Sequence, residues 1–221
     1  MTLNLKKRII TSVSLFLMTI FCVFVHKYFF IVAVLIISYF AFDEMCMIIH
    51  RIRDNLLLKS ISLFYIFGIF AVSSINLYFT KGAFFFLYIL SICICSDVGG
   101  YVIGKKIGGK KLTKISPNKT ISGSIGSFCF SIIPLLIFYN FNDSEYSLSI
   151  NNFTMCLVVS LVCQLGDLFI SYLKRKAKVK DTGKVLPGHG GLLDRIDGII
   201  FAIPFVYIYT IDLSNYFKIL F

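Results

Sequence analysis

The run Phe153-Thr-Met-Cys-Leu-Val-Val-Ser-Leu-Val-Cys-Gln-Leu-Gly-Asp-Leu-Phe-Ile170 carries a single charged side chain, Asp167, and is long enough to cross the hydrocarbon of a bilayer as an α-helix. Six further apolar stretches share this character, at Ile9–Val25, Tyr28–Phe42, Ser60–Phe79, Ala83–Val98, Ile121–Tyr139 and Ile196–Ile211. The second and fourth of the seven are short for a crossing. The whole chain of 221 residues is 57% hydrophobic and 15% charged, with a mean hydropathy of +0.85. A soluble domain sits near 45–50% apolar and about 25% charged, so a water-soluble enzyme is excluded. Disorder is excluded too, because 24 Phe among many Ile and Leu leave too much apolar surface for a solvated coil. The expected fold is all-α: one polytopic integral membrane domain of about seven transmembrane helices.

Lys6-Lys7-Arg8 ahead of an apolar run resembles a secretory signal, but no small-residue cleavage site follows and the next apolar run begins at once. It reads as a retained first helix. With a cytoplasmic N-terminus, all of the 22 Lys and Arg residues except Lys27, Lys81 and Lys218 fall on the cytoplasmic side. That is a strong positive-inside bias. The net charge of +11 then calls for no nucleic acid. Basic loops facing an anionic leaflet account for much of it, each cation contributing about 1 kcal/mol near the surface. The seven cysteines lie in or beside apolar runs without the spacing of a disulfide framework or zinc site, and read as packing residues.

Acidic residues are few, and an Asp at the bilayer centre costs about 2.5–3.5 kcal/mol, so their placement matters. Asp97 ends the fourth apolar stretch, Asp167 lies in the last turn of the sixth, and Asp194 and Asp197 open the seventh, all at the expected cytoplasmic end. At helical spacing Asp194 and Asp197 share a face, as do Asp167 and Ser171. Two helix ends would thus point oxygen ligands at one spot, a donor set suited to Mg²⁺. Asp194 and Asp197 would equally serve as helix N-caps. Asp167, whose charge opposes the dipole at a helix C-terminus, favours the cation. Between these acids a run rich in Lys and Arg leads into a glycine-rich turn. Such a loop neutralises phosphates with its side chains and lets backbone N–H groups approach an anion.

Ser171-x-Leu-Lys-Arg-x4-Lys-Asp-x-Gly-x2-Leu-Pro-x-His-Gly-Gly-Leu-x-Asp-Arg-Ile-Asp197 resembles the signature of the CDP-diacylglycerol synthases (phosphatidate cytidylyltransferases) over all of residues 171–197. A second block, from Asp97-Val-Gly-Gly-Tyr101 through Gly104-Lys105, Leu112, Ser116-Pro117-Asn118-Lys119-Thr120 and Gly123, is similar to the other cytoplasmic stretch of that family. Together the two cover about a quarter of the chain. It departs from the pattern at Ile121 and Ser122, where an aromatic residue and an acid are usual, and at Ser127, where a second glycine is. Members also often carry more N-terminal spans.

The resemblance implies transfer of CMP from CTP to phosphatidic acid, with Mg²⁺ required and a second metal ion left open. It implies Asp167, Asp194 and Asp197 as metal ligands and catalytic residues, with Ser171 as a further oxygen. Lys174, Arg175, Lys180 and Arg195 would grip the CTP phosphates and the departing pyrophosphate, Lys174 and Arg175 as part of the catalytic set. His189, Gly190 and Gly191 would shape the nucleotide loop. Ser116, Lys119 and Thr120, opening the fifth helix, would hold the lipid phosphate or the nucleotide, or simply cap the helix. On this reading residues 1–80 are N-terminal helices and 81–221 the catalytic part, with cytoplasmic loops at 99–120 and 171–197. The protein would sit in the plasma (inner) membrane as a multi-pass protein with a cytoplasmic active site; a homodimer is left open.

Rival readings are weaker. Gly99-x4-Gly104-Lys105-Lys106 has Lys where a P-loop needs Ser or Thr, and follows a membrane helix instead of a strand. Asp194-x-x-Asp197-Gly198 lacks the continuation of a CDP-alcohol phosphotransferase motif. A transporter would place charges at the midplane of a repeated architecture, whereas these gather at one face. A CTP-dependent polyprenol kinase is the nearest enzymatic alternative.

Overall fold

The computed structural model describes residues 3–113, 115–141, 146–183, 185 and 190–211, and side chains among these from Ser14 onward with Phe141 excepted. Among the described residues the fold is helical, with no strand beyond an isolated antiparallel bridge between Lys111 and Thr120. Helix α1 (Leu3–Phe24) turns at His26 into α2 (Lys27–Ile52). Asn55 then caps α3 (Leu56–Leu63), its Oδ1 accepting from Leu57 N at 2.9 Å. A π-helical segment, Phe64–Ala71, joins α3 to α4 (Val72–Ile107).

Among the described residues four helices are long and apolar enough to cross a membrane: Lys27–Ile52, Leu56–Ile107, Ile121–Phe138 and Ile150–Lys176. The second of these would be about 78 Å long as a straight rod, far more than a bilayer. It does not run straight. Gly82 stands at φ 85°, a conformation that breaks the helical path at the polar Lys81-Gly82 step and leaves two arms of similar length.

Several helices outrun their apolar stretches. α2 continues past Phe42 through Asp43 and Glu44 to Ile52, because Ala41, Met45, Ile48 and Ile49 keep an apolar face packed into the core. α4 likewise passes Asp97, and the long helix α7 (Ile150–Lys176) passes Asp167. Each of the two short stretches is thereby extended, and the acids come to lie on helices. The last stretch divides into a four-residue α8 (Leu193–Ile196) and α9 (Ile199–Thr210), which carries Pro204.

The interior packs on Tyr88, Ile89, Ile92, Leu77, Cys156, Val159, Ile200 and Ile203, all at most 1% exposed. Outward-facing large apolar residues abound, Leu56, Phe64 and Ile150 among them, as expected of helices solvated by lipid. Polar bonds stitch the bundle where lipid offers no partner: Ser96 Oγ lies 2.7 Å from Ser160 Oγ, and Tyr65 Oη donates to the Ile200 carbonyl at 3.1 Å. Ser124 Oγ, on α5 (Ile121–Ser131), donates to Gln164 Oε1 at 2.5 Å, and Gln164 Nε2 donates to Ser160 Oγ at 3.3 Å. α4, α5 and α7 are thus tied together below the acids. All seven cysteines are free thiols, as the packing reading requires.

Candidate active site

Small residues set the distances between the acids. A Cβ at Gly166 would sit 2.8 Å from the Asp197 carbonyl oxygen and 2.6 Å from Phe201 Cδ2, and one at Gly198 would sit 3.0 Å from the Cys163 carbonyl oxygen. Each of these glycines adjoins an acid, Asp167 or Asp197. α7 therefore approaches the α8–α9 junction at backbone distance at the level of the carboxylates, and the two side chains interact there. Asp97, on α4, adds its negative charge to that of Asp167 at the same place. α4 is held close by packing of Gly99 against the Gly126 carbonyl and of Gly123 against the Gly100 carbonyl.

Three carboxylates from three elements thus lie close enough to feel one another's charge. Cations answer them from the loop 108–120. Lys119 forms an ion pair with Asp167 Oδ2 and is also felt by Asp97. Ser171 Oγ, one turn along α7, donates to Asp167 Oδ1 at 3.2 Å. The loop is pinned by backbone bonds from Leu112 N to the Lys119 carbonyl at 2.8 Å and from Ile121 N to the Lys110 carbonyl at 3.0 Å, which aim Lys119 inward. Thr120 is the N-cap of α5, accepting from Gly123 N at 3.1 Å, and Ser116 closes a turn whose carbonyl accepts from Lys119 N. For Thr120 the capping role is therefore present in the fold.

Asp194 is held by a different set of partners. Its Oδ1 accepts from Lys174 Nζ at 2.6 Å, while Oδ2 accepts from Thr182 N at 2.8 Å and Gly191 N at 3.0 Å. Burial alone would raise this carboxyl, but the Lys174 ammonium and the two N–H groups outweigh it and hold Asp194 below the usual carboxylate range. Of the expected ligand set of Asp167, Asp194 and Asp197, Asp194 thus has both oxygens accepting from protein donors. Among the described residues no three His, Cys, Asp or Glu side chains form a ready metal-ligand group.

The remaining expected residues are dispersed around this centre. Arg175 is exposed, with Nη1 3.5 Å from the Val179 carbonyl oxygen; Lys180 is exposed on the same turn, and Arg195 is exposed on α8. Gly190 adopts φ 85° with its Cα hydrogens facing Asp194, and Gly191 donates to Asp194. His189 lies outside the described residues. A cleft of about 620 Å³, lined by Ile115, Pro117, Tyr172, Arg175 and Lys176, opens along the same two segments that carry Lys119 and Ser171.

Asp97, which the sequence places at the same end as the other acids, feels both Asp167 and the loop cation Lys119. One participant escapes a reading of the sequence. Glu44, on α2, is fully buried and bonded to the loop that carries Gly191, Leu192 and Leu193. The only local sign of it is an acid set among Ala41, Met45 and Ile48 at helical spacing.

Comparison with known proteins gives one consistent picture. The model of the cytidylyltransferase family matches residues 54–211. The chain is similar to the phosphatidate cytidylyltransferase of Staphylococcus aureus (strain COL), 45% identical over 137 residues that cover 60% of this chain and 51% of that protein. It is similar to the protein of the same name from Staphylococcus saprophyticus, 40% identical over 138 residues (61% and 52%). The Helicobacter pylori protein of that name is 37% identical over 136 residues (61% and 49%). The matched region spans about half the length of these relatives.

Proposed function

The chain belongs to the cytidylyltransferase family, and from that premise we propose that it transfers CMP from CTP to phosphatidic acid, giving CDP-diacylglycerol and pyrophosphate. The observation that carries the proposal is the meeting of Asp97, Asp167 and Asp197 beside Lys119 and the Lys174–Asp194 pair, in helices that belong to a membrane.

An oxygen of the lipid phosphomonoester attacks the α-phosphorus of CTP. A new P–O bond forms at the α-phosphorus, its bond to the α–β bridging oxygen breaks, and pyrophosphate leaves with that oxygen and the electron pair. A phosphomonoester has a second pKa of about 6 and is largely ionised at neutral pH, so the nucleophile needs no strong base. The protein must instead bring two polyanions together and stabilise developing charge. Lys174, held rigidly by Asp194, and Arg175 at the mouth of the cleft supply positive charge to the triphosphate. Lys119 sits within reach of both Asp167 and the cleft wall at Pro117 and serves the acceptor phosphate. The cleft joins Ile115 and Tyr172 to Arg175 and Lys176, a surface suited to a phosphate on an apolar stem.

The donor set fits Mg²⁺: mutually repelling carboxylates at Asp167 and Asp197, with Asp97 adjacent, need a divalent counter-charge, and Mg²⁺ is usually held by one or two carboxylates together with substrate phosphates. Asp167 and Asp197 would hold it, and its contribution would be neutralisation of the triphosphate. We further place seven crossings in the membrane, with the N-terminus in the cytoplasm and the acids at the cytoplasmic face of the plasma membrane. Support comes from the break at Gly82, which divides one long helix into two crossing-length arms, and from the gathering of Lys and Arg around the acids.

Purified protein incubated with CTP, Mg²⁺ and phosphatidic acid is expected to form a lipid-linked CMP and pyrophosphate. Release of CDP on addition of a polyprenol, with no lipid-linked CMP, would transfer the assignment to a kinase.

A further inference from the structure

Glu44 lies outside the residues matched by the family model, and no step described above uses it. It is 0% exposed, and among the described residues no cation is paired with it. A buried carboxylate without a counter-ion is expensive unless backbone or hydroxyl donors surround it. Here they do: Oε1 accepts from Leu192 N at 2.8 Å, and Oε2 accepts from Leu193 N at 2.9 Å and from Thr182 Oγ1 at 2.6 Å. Gly191 gives the carboxylate its room, since a Cβ there would overlap both Glu44 Oε2 and Thr182 Oγ1.

The donors to Glu44 interleave with the donors to Asp194. Thr182 gives its hydroxyl to Glu44 and its N–H to Asp194, and Gly191, whose N–H goes to Asp194, is directly followed by Leu192 and Leu193, whose N–H groups go to Glu44. Thr182 Oγ1 also stands 3.1 Å from Asp194 Oδ2, but a hydroxyl has one proton and the Glu44 oxygen is nearer. We infer that Glu44 is a positioning residue for the nucleotide-handling loop: from α2 it fixes Thr182 and the 191–193 backbone so that Asp194 presents Lys174 to the CTP phosphates. This rests on the proposed cytidylyl transfer for the role of Lys174, though the mechanical coupling of Glu44 to Asp194 does not.

The test compares the full chain, wild type and variant, in lipid nanodiscs. Glu44→Gln keeps the shape but sets an amide NH₂ against donors, and Thr182→Val cuts the same link from the other side. Both are expected to raise KM for CTP about tenfold, as loss of an outer-shell partner does, while KM for phosphatidic acid stays within about twofold. The double variant should be no worse than the poorer single one. Unchanged KM for CTP in both variants, with activity lost only in proportion to folded protein, would overturn the inference in favour of a structural role. Amide hydrogen exchange gives a readout independent of turnover. In Glu44→Gln the Thr182 and Gly191 amides, which bond Asp194 and not Glu44, should exchange faster along with those of Leu192 and Leu193. Acceleration confined to Leu192 and Leu193 would contradict the coupling. A wild-type protein that transfers no CMP yet shows the coupled exchange would refute the proposed reaction and leave the positioning role standing.

Discussion

Asp197 and Asp194 are three residues apart and do different work. Among the described residues Asp197 accepts from the Gly198 N–H, at 2.9 Å, and it faces the like charges of Asp167 and Asp97, with the Lys174 cation also felt there. Asp197→Asn keeps an acceptor for Gly198 and relieves repulsion. The protein should therefore insert and fold as before, while kcat falls by about 10²–10³, the scale on which one stabilising group is lost; retained turnover in a membrane-extract assay would remove Asp197 from the site. Asp194 is held by donors, so its carboxyl is depressed, and its contribution to stability is present above the ordinary carboxylate range and lost only as pH falls through the lowered folded value. The difference in thermal unfolding between wild type and Asp194→Asn should thus persist from pH 7 to about pH 4 and shrink below that, where the unfolded-state carboxyl, near 3.9, also protonates. A difference that vanished near pH 6 would mean the pairing with Lys174 does not form. The sequence showed that Asp167, Asp194 and Asp197 would gather at one end. It did not show that Asp194 would turn to Lys174, because that depends on Thr182 and Gly191 arriving from a loop whose path no periodicity specifies.

At the scale of elements, the helices carry the acids only because glycines let them touch. A side chain at Gly166 has no space against Phe201 and the Asp197 carbonyl, so Gly166→Val should force α7 away from the α8–α9 junction. The expected loss is about 1–3 kcal/mol of stability, as for other overpacked interiors, with transfer activity abolished even in the folded fraction. A variant unfolding at the wild-type temperature with normal activity would show that the close approach is dispensable. The apolar runs marked where helices lie, and the gap drawn between Phe79 and Ala83 coincides with the break at Gly82 in the longest of them. Helix ends were not legible. Asp43 and Glu44 read as a terminus because acids usually leave the hydrocarbon, yet α2 continues to Ile52, since Met45, Ile48 and Ile49 remain on the buried face and the donors of a distant loop satisfy Glu44. The π-helical segment at Phe64–Ala71 had no sequence signal that periodicity would reveal.

For the molecule as a whole, the C-terminal ends of α2, α4 and α7 meet the N-terminal ends of α5 and α9 at one end of the bundle, and the basic loops lie there as well. The one-sidedness of Lys and Arg along the sequence is what supports the proposed orientation. In a cysteine-free background, Lys110→Cys should react with an impermeant maleimide only in inverted vesicles, and Lys81→Cys only in right-side-out ones; labelling of both from one side would break the proposed topology.

The most direct test of the convergent acids is a Mn²⁺ titration in the presence of CTP, followed by electron paramagnetic resonance, on wild type, Asp167→Asn, Asp197→Asn and Asp194→Asn. Asp167→Asn and Asp197→Asn should each weaken ion binding about 10–100-fold. Asp194→Asn, whose carboxylate serves Lys174, should leave the ion in place at saturating CTP. Ion affinity indifferent to Asp167 and Asp197, or lost on substitution of Asp194 alone, would contradict the site as described.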